Sequence, residues 1–419
     1  MSSYHVEVYK IAVTLLKISQ FETTMTPKQF FILQDFWPVL KFCQIMGIFP
    51  CKKVTDENGF INLKPMKTWL LILLWLSWSL IFQIPIIGIM IYLESDSELI
   101  TTTFASSSDS PTRMIVVGFL TLMTFILQIA LILSNIKSLK VLCCLQDEFI
   151  IMFGRNKSRN SSIKKAYILS GVFFGFILLQ VISNVLGMVL PMLDLIGKDQ
   201  SGLRNLAIVL IFIWILSMLC SFFAIFQGLV LHLQLCSNIK MIMKNFDFDQ
   251  MTCKMVLENA TKILKTVTMS SNVLSSQSLI LVLNILIILI CDFYLFMDYA
   301  LSFSANTFEL FQCAQNIFGA LSAAVALWIL NGQSEEIKLG MLNLKDTLGS
   351  LVVSNGVIEI DGRFQSEAYA RGYLINKLAE FQGLDANGYV TLGKPLLTSI
   401  FASFITYLII LVQFKISIN

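Results

Sequence analysis

Charge is what this sequence has least of. Asp, Glu, Lys and Arg make up 14% of its 419 residues against 56% apolar residues, and the mean hydropathy is +0.75. A water-soluble globule carries about a quarter charged residues, so the composition excludes one and leaves a polytopic membrane protein. Histidine is nearly missing, with only His5 and His232, and the nine cysteines show no two-residue spacing typical of a zinc ribbon. Neither a metal nor a cofactor is expected. HExxH and GxSxG motifs are absent, as are enough intramembrane acids for a proton relay. The frame Gly388 to Gly393-Lys394 has the glycines and lysine of a phosphate loop, but Pro395 stands where Ser or Thr would hold magnesium. No enzyme is expected, and no nucleic-acid partner. The first forty residues hold Lys10, Lys17 and Lys28 among scattered acids, without an apolar core and small-residue cleavage site, so no cleaved signal peptide is expected.

What the sequence does have is long apolar runs. Seven are long enough to cross a bilayer: about 67–93, 114–135, 167–193, 205–235, 275–300, 310–331 and 396–414. The expected fold is an all-α membrane protein of seven transmembrane helices, multi-pass in the plasma membrane. Of the 30 Lys and Arg residues, 26 fall in the lead and in alternate loops on its side; only Arg113, Lys198, Arg204 and Lys415 lie opposite. Basic loops stay in the cytoplasm, which places the N-terminus inside and the C-terminus outside. Four regions follow: a cytoplasmic lead with an amphipathic helix (1–65), six helices (66–331), a cytoplasmic helical region (332–394) and the last helix (395–419). Within the lead, Phe36 to Pro50 reads as a short interfacial helix ending at a glycine–proline turn. Helical patterns recur at Leu339 to Leu348 and Ala368 to Leu378, separated by turns at Ser354-Asn355-Gly356 and Asp361-Gly362.

The last run, Leu396 to Phe414, contains no charge, and its nineteen residues would rise about 28 Å as a helix. Ser399, Ser403, Thr406 and Gln413 recur at steps of four, three and seven, on one side. A close helix seam explains small hydroxylated residues; a water-filled path explains them and also Gln413, whose carboxamide is too large for such a seam and costly to bury unpaired.

The sequence Thr406-Tyr407, five apolar residues, Gln413-Phe414 resembles the motif that closes insect gustatory receptors. Leu378-Ala379-Glu380-Phe381 and Leu384-Asp385-Ala386-Asn387-Gly388-Tyr389 resemble the family's approach to that helix, with Leu384 and Tyr389 where phenylalanine is common. The strict motif covers nine residues, and the seven-run layout extends the likeness along the chain. The resemblance implies a taste receptor of chemosensory cells: a tastant-gated cation channel, assembled as a homo- or heterotetramer. Gln413 and Phe414 would lie at the pore, with Thr406 and Tyr407 packing the pore helix. Lys415 is at odds with this unless it splays outward or pairs with an acid such as Glu309, since four lysines at a pore mouth repel cations.

Polar residues gather in the outer halves of three other runs. Gln180, Ser183 and Asn184 share one face, Gln312, Gln315 and Asn316 another, and Asp292, Tyr294 and Asp298 a third. With Trp214 and Phe222 as aromatic wall, they form a candidate pocket for a small-molecule tastant. Asp292 stands out because a mid-membrane carboxylate costs about 2.5–3.5 kcal/mol on insertion scales. A structural hydrogen bond or a reach to surface water explains it equally well.

Two other classes compete. A G-protein-coupled receptor predicts an outside N-terminus and a cytoplasmic tail, but only five residues follow Phe414. A secondary transporter predicts matched helix breaks, and Pro85 and Pro191 match in no repeat. The sequons at Asn156, Asn160 and Asn259 all lie in loops assigned to the inside. The chain expressed in insect or mammalian cells should therefore show no mobility shift on peptide N-glycosidase treatment; a shift would reverse the topology.

Overall fold

The computed structural model describes residues 33–45, 47–55, 61–67, 70, 73–74, 111–153, 161–196, 201–245, 252–301, 307–351, 356–360 and 363–418. The expected first run, 67–93, lies almost wholly outside these. Six helices dominate: a short α1 (Trp37–Ile45), then α2 (Pro111–Phe153), α3 (Ser161–Ile196), α4 (Ser201–Asn245), α5 (Cys253–Leu301) and α6 (Thr307–Ser350). A β-hairpin, β1 (Cys51–Thr55) with β2 (Ile61–Pro65), follows α1. After α6 come the hairpin β3 (Val357–Ile360) and β4 (Arg363–Ser366), α7 (Glu367–Glu380), the short pair β5 (Asp385–Ala386) and β6 (Val390–Thr391), and the last helix, α8 (Lys394–Ile418). The protein is a multi-pass membrane protein built of helices, and five described segments, one on each of α2 to α6, are long and apolar enough to cross a bilayer.

The helices α2, α5 and α6 run well past the expected spans at one end, here called the base. The reason is written in their spacing. On α6 the buried residues Leu327, Leu330, Ser334, Ile337, Met341, Leu344 and Leu348 recur at alternating steps of three and four. On α5 the same rhythm takes Val256, Ala260, Ile263, Val267, Ser270, Leu274 and Gln277. A seam of this period keeps two helices in register toward the base. Between them α4 is enclosed, every residue from Ala224 to Ile239 being buried.

The helix expected in the lead is α1, which ends at Gly47 with φ +74° and buries Leu40 and Cys43. Phe42 packs on Phe223 of α4 at 4.6 Å. Just ahead of α1, Asp35 accepts a bond from Gln234 Nε2 at 3.1 Å. Burial pushes the Asp35 carboxyl above its ordinary range, against the opposing pull of that bond. The hairpins β1–β2 and β3–β4 were not apparent in the sequence. The helical patterns at 339–348 and 368–378 appear within α6 and α7, and Ser366 caps α7 by accepting from the Tyr369 amide.

The segment leading into α8 is fastened to α6 and α5 by side chains. Ser334 Oγ donates to Leu392 O at 2.8 Å and accepts from the Leu384 amide at 2.9 Å. Asn331 Oδ1 accepts from the Gly393 amide at 2.7 Å, while its Nδ2 donates to Leu327 O. The turn between β5 and β6 uses Asn387 (φ +57°) and Gly388 (φ +74°), the left-handed pair that such a tight reversal requires. Ser275 Oγ on α5 accepts from the Asn387 amide at 2.7 Å. Ser334→Ala strands two buried backbone groups, each costing about 1–3 kcal/mol. The purified variant should melt well below wild type, whereas Ser350→Ala, at an exposed helix end, should not; equal melting would remove Ser334 from this role.

Candidate functional site

Three helices bring polar side chains together in the half of the bundle away from the base. On α3, Leu178, Leu179, Ile182 and Leu186 are exposed, as a lipid face requires, while Gln180 and Ser183 are buried. The α6 segment repeats this arrangement: Leu310, Ile317 and Leu321 point outward, Gln315 and Asn316 inward. On α5, Leu283 and Ile290 are exposed and Asp292 is 3% exposed. Each helix thus turns its apolar side to lipid and a polar strip to its neighbours, the inverse of a soluble bundle.

The strips meet at Gly319 of α6. A methyl group there would overlap Asp292 Oδ2 and lie 2.6 Å from Gln180 Nε2. A glycine is required because the carboxylate and the carboxamide occupy the place of its side chain. Gln315 and Asn316, four and three residues earlier on α6, fall on the same face. Among the described residues, Gln180 Oε1, Asp292 Oδ2, Gln315 Oε1 and Asn316 Nδ2 are buried with no hydrogen-bond partner.

Toward the base the walls become apolar. Phe173, Phe222, Ile225, Ile285, Ile288, Ser322 and Ala323 enclose a gap of about 10 Å³, room for roughly one water. It adjoins the polar cluster: Ile288 is one turn from Asp292, and Ser322 donates to Gly319 O at 2.8 Å. Drug-sized ligands occupy about 300–1,000 Å³, so a ligand here would have to push these side chains and their helices apart.

Of the residues singled out in the sequence, Gln180, Ser183, Asp292, Gln315 and Asn316 are buried on the facing strips, and Phe222 lines the gap. Gln312, Tyr294 and Asp298 are half-buried, and Tyr294 and Asp298 are engaged by other contacts. The side chains of Asn184 and Trp214 lie outside the described residues. Gly319 was not singled out, since a glycine in an apolar run carries no signal of what touches it.

Among the described side chains, the last helix meets its own chain along one face. Leu396, Leu397, Ile400 and Phe404 pack against the core, and Phe404 meets Phe293 of α5 edge-on at 4.7 Å. Phe293 is the neighbour of Asp292. Ser399, Ser403, Thr406, Tyr407 and Gln413 are exposed, and the Thr406 hydroxyl bonds back to Ala402 O. The Phe414 side chain lies outside the described residues.

Overpacking a tight site costs about 1–3 kcal/mol, more than the helix propensity gained on replacing glycine by alanine, about 1 kcal/mol at most. Gly319→Ala should therefore lower the melting temperature of the purified protein. Gly171→Ala and Gly175→Ala, whose methyl groups meet nothing within 4 Å, should leave it unchanged or raise it. Equal behaviour of the three variants would contradict the close approach.

No family model matches this sequence, and no curated protein matches it. Solved structures do. The insect olfactory receptor OR5 from Machilis hrabei aligns over 91% of this chain and 98% of its own, with a TM-score of 0.54 at 14% identity. The same receptor in complex with eugenol aligns over the same shares, with a TM-score of 0.52 at 13% identity. At that identity the likeness is one of architecture, and the chain has the fold of the insect olfactory receptor OR5.

Proposed function

We propose that this chain is a subunit of a chemosensory receptor, a tastant-gated cation channel of the gustatory type in the plasma membrane. Four copies, alike or mixed, place α8 around a shared axis. The observation that carries this reading is the exposure of the polar stripe on α8. Beside the face packed on its own subunit, α8 exposes Phe401, Ile405 and Ile409 on a side suited to lipid; the stripe Ser399, Ser403, Thr406 and Gln413 is outward as well and is not suited to lipid. It fits a water path shared with other copies. The likeness of Thr406-Tyr407 and Gln413-Phe414 to the closing motif of gustatory receptors supports it. So does the shared fold with a receptor whose structure holds eugenol, a small apolar molecule with a polar end.

In this reading the ligand binds between α3, α5 and α6, at Gln180, Ser183, Asp292, Gln315 and Asn316, with Asn184, Tyr294, Asp298 and Gln312 toward the mouth. Two links carry its binding to the pore helix. One is α6 itself: Gly319 at the site and Asn331 at the root of α8 are twelve residues apart, about 18 Å along one rigid helix. The other is the Phe293–Phe404 contact beside Asp292. Widening the gap shifts both, and a small rotation of α8 exchanges the Phe414 ring, which closes a narrow path by dewetting, for the Gln413 carboxamide, whose dipole a cation tolerates.

Expressed alone in cells and exposed to sugars and bitter compounds, the chain should give currents that persist when G-protein signalling is blocked. Gln413→Glu should raise the permeability of calcium relative to sodium several-fold by placing carboxylates at the narrow point. An unchanged reversal potential would remove Gln413 from the pore.

A further inference from the structure

We infer that the pocket beside Gly319 takes a protonated amine carried on an apolar body, with Asp292 as its counter-ion. This rests on the receptor reading above and names the class of ligand for that site.

The argument starts from an imbalance. Asp292 and Gln180 crowd the bare Cα of Gly319 from α5 and α3, and Gln315 lies one turn along the same face of α6. Three of the four unpartnered buried atoms in this cluster are acceptors: Asp292 Oδ2, Gln180 Oε1 and Gln315 Oε1. The donor is Asn316 Nδ2. A neutral polyol offers donors and acceptors in nearly equal number and leaves such a site unbalanced. An ammonium group offers donors only.

The three helices that form the cluster supply no cation of their own. No Lys, Arg or His occurs between Lys165 and Lys198, nor between Lys265 and Lys338, so α3, α5 and α6 bring none across this depth. A carboxylate buried among apolar helices is tolerated when a partner charge arrives. The surroundings select what carries that charge. Phe173, Phe222, Ile225, Ile285 and Ile288 wall the gap whose lining reaches within one helical turn of Asp292, and such walls suit an aryl or alkyl body and not a hydrated metal ion.

The test uses the full chain purified in detergent and measures binding with no dependence on current. The probes are phenethylamine, permanently charged benzyltrimethylammonium, neutral 2-phenylethanol and glucose, each titrated against the melting temperature of wild type and Asp292→Asn. Both cations should stabilise wild type and the two neutral compounds should not. The isosteric Asp292→Asn should fold, having lost a buried charge, and should bind the cations about thirtyfold or more weakly, as expected for removing one partner of a buried charge pair. The proposal is overturned if the cations stabilise neither protein, if they stabilise both equally, or if 2-phenylethanol or glucose stabilises wild type as well as the cations do. If Asp292→Asn does not fold, the comparison of charged with neutral probes on wild type decides the matter alone. The two readings fail separately: cation binding with no ligand-evoked current sinks the channel and keeps the pocket, while currents to other compounds without cation binding do the reverse.

Discussion

The structure depends on how the chain is brought into its last helix. A segment that leaves the basal bundle and enters a long apolar helix carries backbone donors and acceptors that cannot be left bare. Asn331 and Ser334, one turn apart on α6, meet that need for Leu384, Leu392 and Gly393. Ser334 does so from a position in the buried seam where its neighbours Leu330, Ile337 and Met341 are apolar. The hydroxyl weakens the seam slightly and in return fixes the place and angle at which α8 begins. Because α6 also packs along α3 and α5, the root of α8 is tied to the helices that form the polar site.

That tie gives one arrangement two uses. Closer to the opposite end of α6, Gly319 lets the Asp292 carboxylate and the Gln180 carboxamide come against the helix backbone. Polar groups held there without full partners are costly, and their cost falls when a ligand completes them. In the proposed channel, binding free energy would be available to move the helices, and α6, which lines this site, is the one holding α8. The second contact, Phe293 on Phe404, joins the neighbour of Asp292 to the last helix, so α8 touches the surroundings of this site at two heights.

Much of this was legible in the sequence, for physical reasons that also explain the rest. Apolar runs announce helices, and the spacing of Leu339 to Leu348 and of Ala368 to Leu378 announced the basal end of α6 and α7. The stripe on α8 was legible because a helix converts steps of three, four and seven into one face; its exposure was not, since that depends on which side the core takes. Gln180, Asp292, Gln315 and Asn316 stood out because polar residues in apolar runs are rare. Gly319, Asn331 and Ser334 did not, because their importance lies in contacts with residues 27 to 139 positions away, and no local pattern encodes those. The hairpins β1–β2 and β3–β4 were hidden by strands of four or five residues, too short for alternation to be distinguished from loop.

The central claim, that copies of α8 surround one ion path with the polar stripe inward, is tested most directly by cysteine scanning of α8 under a charged thiol reagent during ligand-evoked current. Cysteines at Ser399, Ser403, Thr406 and Gln413 should be modified and alter the current, while those at Leu397, Ile400 and Phe404, which face the subunit's own core, should not. Modification confined to the Leu397, Ile400 and Phe404 face, or no effect on current at any of the seven positions, would contradict the account.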